Sequence, residues 1–527
     1  MFSFVAERLA HIDSVQDPFH CRTGYAALKS GWINAIQRAG AAIWVILIVS
    51  VTFKQTITMG FVLSILYFVT SYLTPPVLFG PLAVYRVEFI LAIPILILSI
   101  LKLKGSIILK TPQSLALIGL ALAGSLSVLF GMHWVMGAVQ VFPAFLPCAY
   151  AYYLVCLHCN SKKKLQIVVL MLLFVCLFVI AHGYIDMHYG APSSGLPLPG
   201  ATDDSSQISE DNQHPYLMGM RNNAGEYFYR LRGRGLINDP NDFGQLIVCL
   251  IPLQFIFWRP KKMLRNSVFV VLPVCALLFG MYLTHSRGAL LAMMAIMIVA
   301  ARRRTGTLPA LLIAGVVFVA AMSLNFTGGR DISASAGSDR TALWSAGMQM
   351  LKSHPLFGVG LGNYADNCSG CENITAHNSL VICAAELGLF GLFFWCLFLL
   401  TSVRDALTIA SPAKVSEAEP ILSEEGLFPQ TTRKIEVVDK AEVNHLGRLL
   451  VLSFTGFLVA GWFLSRTYVM TFFLLGGAVE VVYEMALQRG MIVPRLRMGR
   501  ALPNSAVLSV LLVLLMYIML RITNLMR

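Results

Sequence analysis

Ala376-His377-Asn378-Ser379-Leu-Val-Ile-Cys-Ala-Ala-Glu386-Leu-Gly388-Leu-Phe-Gly391 passes from a polar loop into an apolar run that continues to residue 402, interrupted by a single carboxylate. A run of about 20 apolar residues, rising ~1.5 Å each, is long enough to cross the hydrocarbon core of a bilayer as a helix. The stretch therefore reads as a transmembrane helix with a histidine at its mouth.

The same signature recurs on both sides of it. Comparable runs lie at 57–74, 83–101, 113–131, 134–157, 165–184, 236–258, 267–285, 287–301, 307–324, 379–402, 447–464, 467–485 and 503–521, with a shorter one at 41–53. Of the 527 residues, 57% are hydrophobic and only 13% charged, and the mean hydropathy is +0.71. A soluble core needs no such series. The expected fold class is all-α: a polytopic transmembrane helical bundle of about 12–14 spans, with two external loops carrying short helices.

Basic residues set the expected orientation, because cytoplasmic loops collect Lys and Arg. The clusters are Lys102/Lys104/Lys110, Lys162-Lys163-Lys164, Arg259 to Arg265, Arg302-Arg303-Arg304, Arg433-Lys434 and Arg495 to Arg500. They account for the net charge of +13 as loop anchors, so no nucleic-acid partner is implied. Placing them in the cytoplasm divides the chain into a cytoplasmic or interfacial segment 1–40, spans within 41–184, an external loop 185–235, spans within 236–324, an external loop 325–378, the span 379–402, a flexible cytoplasmic loop 403–446 and spans within 447–527. The first forty residues show no cleavable signal peptide.

Most of the eleven cysteines sit in apolar runs, where the thiol behaves as a small hydrophobe. Cys368 and Cys371 are the exception. In an oxidising compartment they can close as a disulfide. A zinc site would need more ligands than these thiols and His377 supply.

Polar chemistry gathers in and around the external loops. Arg232-Gly-Arg234 leads into Asn238-Asp239-Pro240-Asn241-Asp242. Asp239 before Pro240 is a good helix start, with Asp242 suiting the first turn. Arg232 and Arg234 fall where the positive-inside bias disfavours them, which suits anion binding by at least one. Arg287, in Thr284-His285-Ser286-Arg287-Gly288, is held near the hydrocarbon edge, an expensive place unless it meets an anion or a wet cavity. The plainer alternative is an arginine that snorkels to lipid headgroups. Arg340 precedes the amphipathic stretch Leu343–Leu351, whose spacing predicts a short surface helix. His354-Pro355-Leu-Phe-Gly358-Val-Gly360-Leu-Gly362-Asn363 then reads as a helix stop and a glycine-rich turn. His377 can act as a base near neutral pH, although a histidine at a helix entrance is commonly structural. Glu386 reads most simply as a buried carboxylate satisfied by neighbouring helices.

Ser286-Arg287-Gly288, the His354 to Asn363 run, His377-Asn378-Ser379 and Glu386-Leu-Gly388, in this order between spans, resemble the O-antigen ligase and polymerase superfamily. The resemblance covers about 270–400, and Asp239-Pro240-Asn241-Asp242 is similar to exopolysaccharide members. It implies a bacterial inner-membrane glycosyltransferase with its active face in the periplasm, needing no metal or other cofactor. Such enzymes move a glycan from undecaprenyl diphosphate to a hydroxyl of another glycan, of lipid A core or of a protein. The resemblance implies His377 as the catalytic residue and Arg287 as a diphosphate ligand. Arg234 and Arg340 are further candidates for that role, with Glu386, Asp239 and Asp242 in support. Direct displacement with inversion is expected, because no nucleophilic carboxylate is paired with an acid.

A lipid-linked oligosaccharide flippase or other polysaccharide transporter is the rival reading, since it too would want cations in a membrane cavity. Its charges would be expected along a central passage, whereas Arg234, Arg287, Arg340 and His377 fall at one boundary. A scaffold subunit of an export complex is a third reading.

Overall fold

The computed structural model describes residues 59–74, 87–103, 107–189, 216–221, 225, 227–233, 237–328, 334–368, 374–411, 439–491, 495–496 and 498–525. The run at 41–53, Arg234, Cys371 and most of the loops 185–235 and 403–446 lie outside these residues. Residues 60–527 gather into one unit, and of the other, residues 1–59, only Met59 is described.

Each apolar run expected to span coincides with a helix wherever it is described. In chain order these are α1 (Met59–Leu73), α2 (Val87–Leu103), α3 (Pro112–Gly131), α4 (Val135–His158) and α5 (Lys162–Tyr189). After them come a hairpin of β1 (Leu217–Arg221) and β2 (Tyr227–Leu231), then α6 (Pro240–Gln254), α7 (Leu272–Leu283), α8 (Arg287–Thr305) and α9 (Thr307–Ser323). The chain closes with α10 (Ala334–Ser353), α11 (Ser379–Ala410), α12 (Lys440–Gly461), α13 (Met470–Gln488) and α14 (Met498–Leu525). Among the described residues, 9 helices are long and apolar enough to cross a membrane, α6 and α7 counting with the short turns that extend them. Helices prevail because a backbone group facing hydrocarbon must find its partner within its own segment.

The described part of the loop 185–235 includes an antiparallel hairpin pairing Leu217 with Leu231 and Arg221 with Tyr227. Tyr227-Phe228-Tyr229 explains this, since aromatic side chains suit a pleated, half-buried surface. The surface helix expected after Arg340 is α10, which begins earlier, at Ala334.

Helix α11 runs through the middle of the bundle, packed by α3, α10, α12, α13 and α14. Its lower half joins an aromatic core in which Phe472 stacks on Phe457 with centroids 4.9 Å apart, and Phe398 meets both Phe472 and Phe473. Its upper half is broken at Gly388, whose φ of 64° and ψ of −166° are not helical.

The break is filled by the glycine-rich turn after α10. The amides of Val359 and Gly360 donate to the carbonyls of Ala385 and Glu386 at 3.0 and 3.2 Å. In return, those of Leu389 and Phe390 donate to Pro355 and Leu356 at 2.9 and 3.1 Å. The Ser127 hydroxyl of α3 also donates to the Glu386 carbonyl. The buried groups among these, on Val359, Gly360, Ala385 and Glu386, would otherwise be stranded inside the bundle, at several kcal/mol each. The break and the turn are therefore one structural unit, lying directly beneath the mouth of α11.

Candidate functional site

Three helices begin at this mouth, each capped by its own sequence. Asp239 accepts from the Asn241 amide at 2.7 Å ahead of Pro240, opening α6. Ser286 accepts from the Ala289 amide at 3.3 Å, opening α8. Asn378 accepts from the amides of Leu380 and Val381 at 2.9 and 3.1 Å, opening α11. Such caps contribute about 1 kcal/mol apiece. Their joint effect is to aim three positive helix ends at one region, an arrangement suited to an anion.

The short connection between α12 and α13, residues 462–469, closes the region from the other side. The Ser379 hydroxyl donates to the Leu464 carbonyl at 2.8 Å, and the Thr467 hydroxyl donates to the Ser379 carbonyl at 2.7 Å. Arg466 pairs through Nε with Asp242 at 2.6 Å; the Asp242 side chain is 4% exposed and that of Arg466 40%. The role expected of Asp242 in the first turn of α6 therefore includes an ion pair with a residue far along the chain.

Arg230, on β2, is buried and ties the hairpin to two helix starts. Its Nε donates to the Thr284 carbonyl at 2.9 Å, and one terminal nitrogen donates to the Asn241 side chain at 3.0 Å. Burial pushes its pKa down to about 10; Asp239 opposes this, and Arg287 adds to it. Arg340, on α10, has its guanidinium 5.6 Å from the centre of the Phe463 ring. Its pKa is lowered by burial and by the positive charge of Arg287. Like charges gathered at the head of three helices raise the local positive potential, which favours a bound anion.

His377 is half-buried at the entrance of α11, with φ of 47° in the left-handed region. For a residue with a Cβ this conformation costs about 1–2 kcal/mol. Neighbouring bonds hold it there. The indole of Trp344 donates to the Ala376 carbonyl at 2.8 Å, and the His377 amide donates to the Ser465 hydroxyl at 2.8 Å. Burial and then the Arg340 charge lower the imidazole pKa below its ordinary 6.5, with Asp239 pulling the other way. The ring is consequently neutral near pH 7 and able to accept a proton.

The structure thus brings His377, Arg340, Arg287, Asp239 and Asp242 into one electrostatic neighbourhood. Arg234 lies outside the described residues. Glu386 sits deeper, its carboxylate accepting from the amides of Gly362 and Tyr364 in the glycine-rich turn. Sequence reasoning passed over Ser465 and Arg466, although Arg466 carried the signal that exposed Arg287, a cation in a short connection between two spans. Arg230, two residues before Arg232, was likewise passed over. Cys368 is disulfide-bonded, and among the described residues no group of three or more His, Cys, Asp or Glu is placed to hold a metal ion.

No curated protein matches the chain. Residues 272–396 match the family model described as O-Antigen ligase. That stretch runs from α7 into α11 and contains Arg287, Arg340, His377, the glycine-rich turn and the break at Gly388. Over it the chain is similar to the O-antigen ligase family, which supports a place in the O-antigen ligase and polymerase superfamily, and its candidate spans make it a multi-pass membrane protein.

Proposed function

We propose that the protein is a glycosyltransferase that moves a glycan from undecaprenyl diphosphate to a hydroxyl acceptor at the mouth of α11. The observation that carries this reading is the meeting of a neutral, half-buried His377 with Arg340 and Arg287 at three helix N-termini. His377 takes the proton of the acceptor hydroxyl, and that oxygen attacks the anomeric carbon. The bond from this carbon to the diphosphate breaks with inversion. Undecaprenyl diphosphate leaves with its negative charge held by Arg287 and Arg340, whose guanidinium groups bind phosphate oxygens in pairs. These arginines stand where a divalent ion stands in other transferases.

Two features support a periplasmic placement of this end in the bacterial inner membrane. The Cys368 disulfide suits an oxidising compartment. Arg302-Arg303-Arg304 close the opposite end of α8, as cytoplasmic anchors would. Grouping of the cations at one end favours transfer over passage through the bundle. The acceptor is a second lipid-linked glycan in a polymerase, and lipid A core or a protein hydroxyl in a ligase.

The test uses purified protein in liposomes, the labelled lipid-linked glycan extracted from producing cells, and EDTA. A ladder of products from donor alone identifies a polymerase, and transfer only on adding lipid A core or acceptor protein identifies a ligase. His377→Ala should abolish either product while the protein still inserts. Full turnover by that variant, or none by the wild type with any acceptor, overturns the reading.

A further inference from the structure

The connection between α12 and α13 lies outside the segment that matches the O-antigen ligase model, and follows it by more than sixty residues of chain. It nonetheless touches every part of the mouth. Phe463 lies under the Arg340 guanidinium at 5.6 Å, and its Cβ is 3.1 Å from where a Cβ on Gly288 would stand, beside Arg287. Arg466 holds Asp242. Ser465 meets both His377 and Thr375: its hydroxyl accepts from the His377 amide at 2.8 Å and lies 2.5 Å from the Thr375 hydroxyl. Leu464 and Thr467, on either side, are bonded to Ser379. This framework fixes the position of Ser465 independently of His377.

We propose that Ser465 is a positioning residue for His377, and that the 462–467 connection is a built part of the transfer site. The inference rests on the catalytic reading of His377 given above. The left-handed backbone of His377 determines where its imidazole points, and histidine adopts that conformation more readily than most residues with a Cβ but still only uncommonly. The amide bond to Ser465 selects it from outside. Because the hydroxyl bonds the backbone and not the ring, Ser465 acts on the direction and shielding of the imidazole, leaving its chemistry intact. A base displaced by ~1 Å can lose about a hundredfold in rate, so one hydroxyl at this point carries a large kinetic effect.

The experiment compares Ser465→Ala, Ser465→Thr, His377→Ala and the Ser465→Ala/His377→Ala double variant, all in liposomes with the extracted lipid-linked glycan. Affinity for undecaprenyl diphosphate is measured separately. Ser465→Ala should lower kcat by about 10- to 100-fold and leave undecaprenyl diphosphate binding within about twofold, because the arginines are untouched. Its acid limb should move to higher pH, since a loosened imidazole regains solvent. Ser465→Thr, which keeps the hydroxyl, should recover most of the rate. In the His377→Ala background Ser465→Ala should leave undecaprenyl diphosphate affinity and melting temperature unchanged, as expected of a residue that acts through the base alone.

Unchanged kcat in Ser465→Ala overturns the proposal, as does an equal loss in Ser465→Thr. Parallel loss of undecaprenyl diphosphate binding also overturns it, because the hydroxyl would then be holding the fold and not the base. If His377→Ala itself stays active, the catalytic reading falls first and this inference falls with it.

Discussion

Asp242 and Arg466 stand 2.6 Å apart across the α6–loop boundary, joining the first turn of one helix to a connection more than two hundred residues later. The carboxylate is buried and the guanidinium is 40% exposed, so the pair is half desolvated. Removing the cation leaves a buried carboxyl without its ion-pair partner, next to the start of its own helix. We expect Arg466→Ala to destabilise the protein by about 1–2 kcal/mol, less than the 3–5 of a fully buried pair because water screens the exposed partner. Asp242→Asn in the same chain should recover part of that loss. Melting in detergent measures both, and an Arg466→Ala variant as stable as the wild type would show that the pair contributes nothing.

Gly388 supports the most direct stability prediction. At φ 64° its backbone is left-handed, and an added Cβ would stand 2.4 Å from the Leu356 carbonyl oxygen. Neither atom can yield, because Leu356 is itself bonded to Phe390. Gly388→Ala should cost about 3 kcal/mol or more, from backbone strain and overpacking together. Gly315→Ala, where an added Cβ meets nothing within 4 Å, is the control and should melt at or above the wild-type temperature.

The pH dependence follows from His377. Burial and Arg340 lower its pKa, so the folded state holds this proton less readily than the unfolded chain. Stability from this group is therefore complete above the ordinary 6.5 and is lost as pH falls through the lower folded value. Transfer activity should likewise persist below pH 6.5. Arg340→Gln removes a positive neighbour and should move the acid limb upward. A limb that stays in place would separate Arg340 from the imidazole.

Arg287 should resist conservative replacement. Arg287→Ala and Arg287→Lys are both expected to lower kcat/KM by at least about tenfold, or ~1.4 kcal/mol of transition-state stabilisation, because an ammonium cannot make the two-pronged contact with phosphate. Recovery of wild-type kcat/KM by lysine would reduce the role of Arg287 to charge alone.

Much of this architecture is legible in the chain. The apolar runs fixed where helices lie, because burial in hydrocarbon and internal hydrogen bonding leave few other solutions for such segments. The cap at Asp239-Pro240 and the start at Asn378 are local chemistry and were read directly. Arg287 was recognisable because a charge at a membrane boundary needs a reason to be there, whereas His377 and Arg340 took their expected roles from the family resemblance. The hairpin was harder to see, since short strands leave a weak pattern.

The sequence by itself determined an all-helical membrane bundle, and it singled out His377, Arg287 and Arg340 as candidates. Only the tertiary structure decided that Glu386 serves the glycine-rich turn, that Arg466 answers Asp242 and that Ser465 holds His377. The reason is distance along the chain. Helix periodicity and capping are set by neighbours within a few residues, whereas these contacts join segments from 22 to more than 200 residues apart. No local preference encodes them, and they form only when the bundle has brought those segments together.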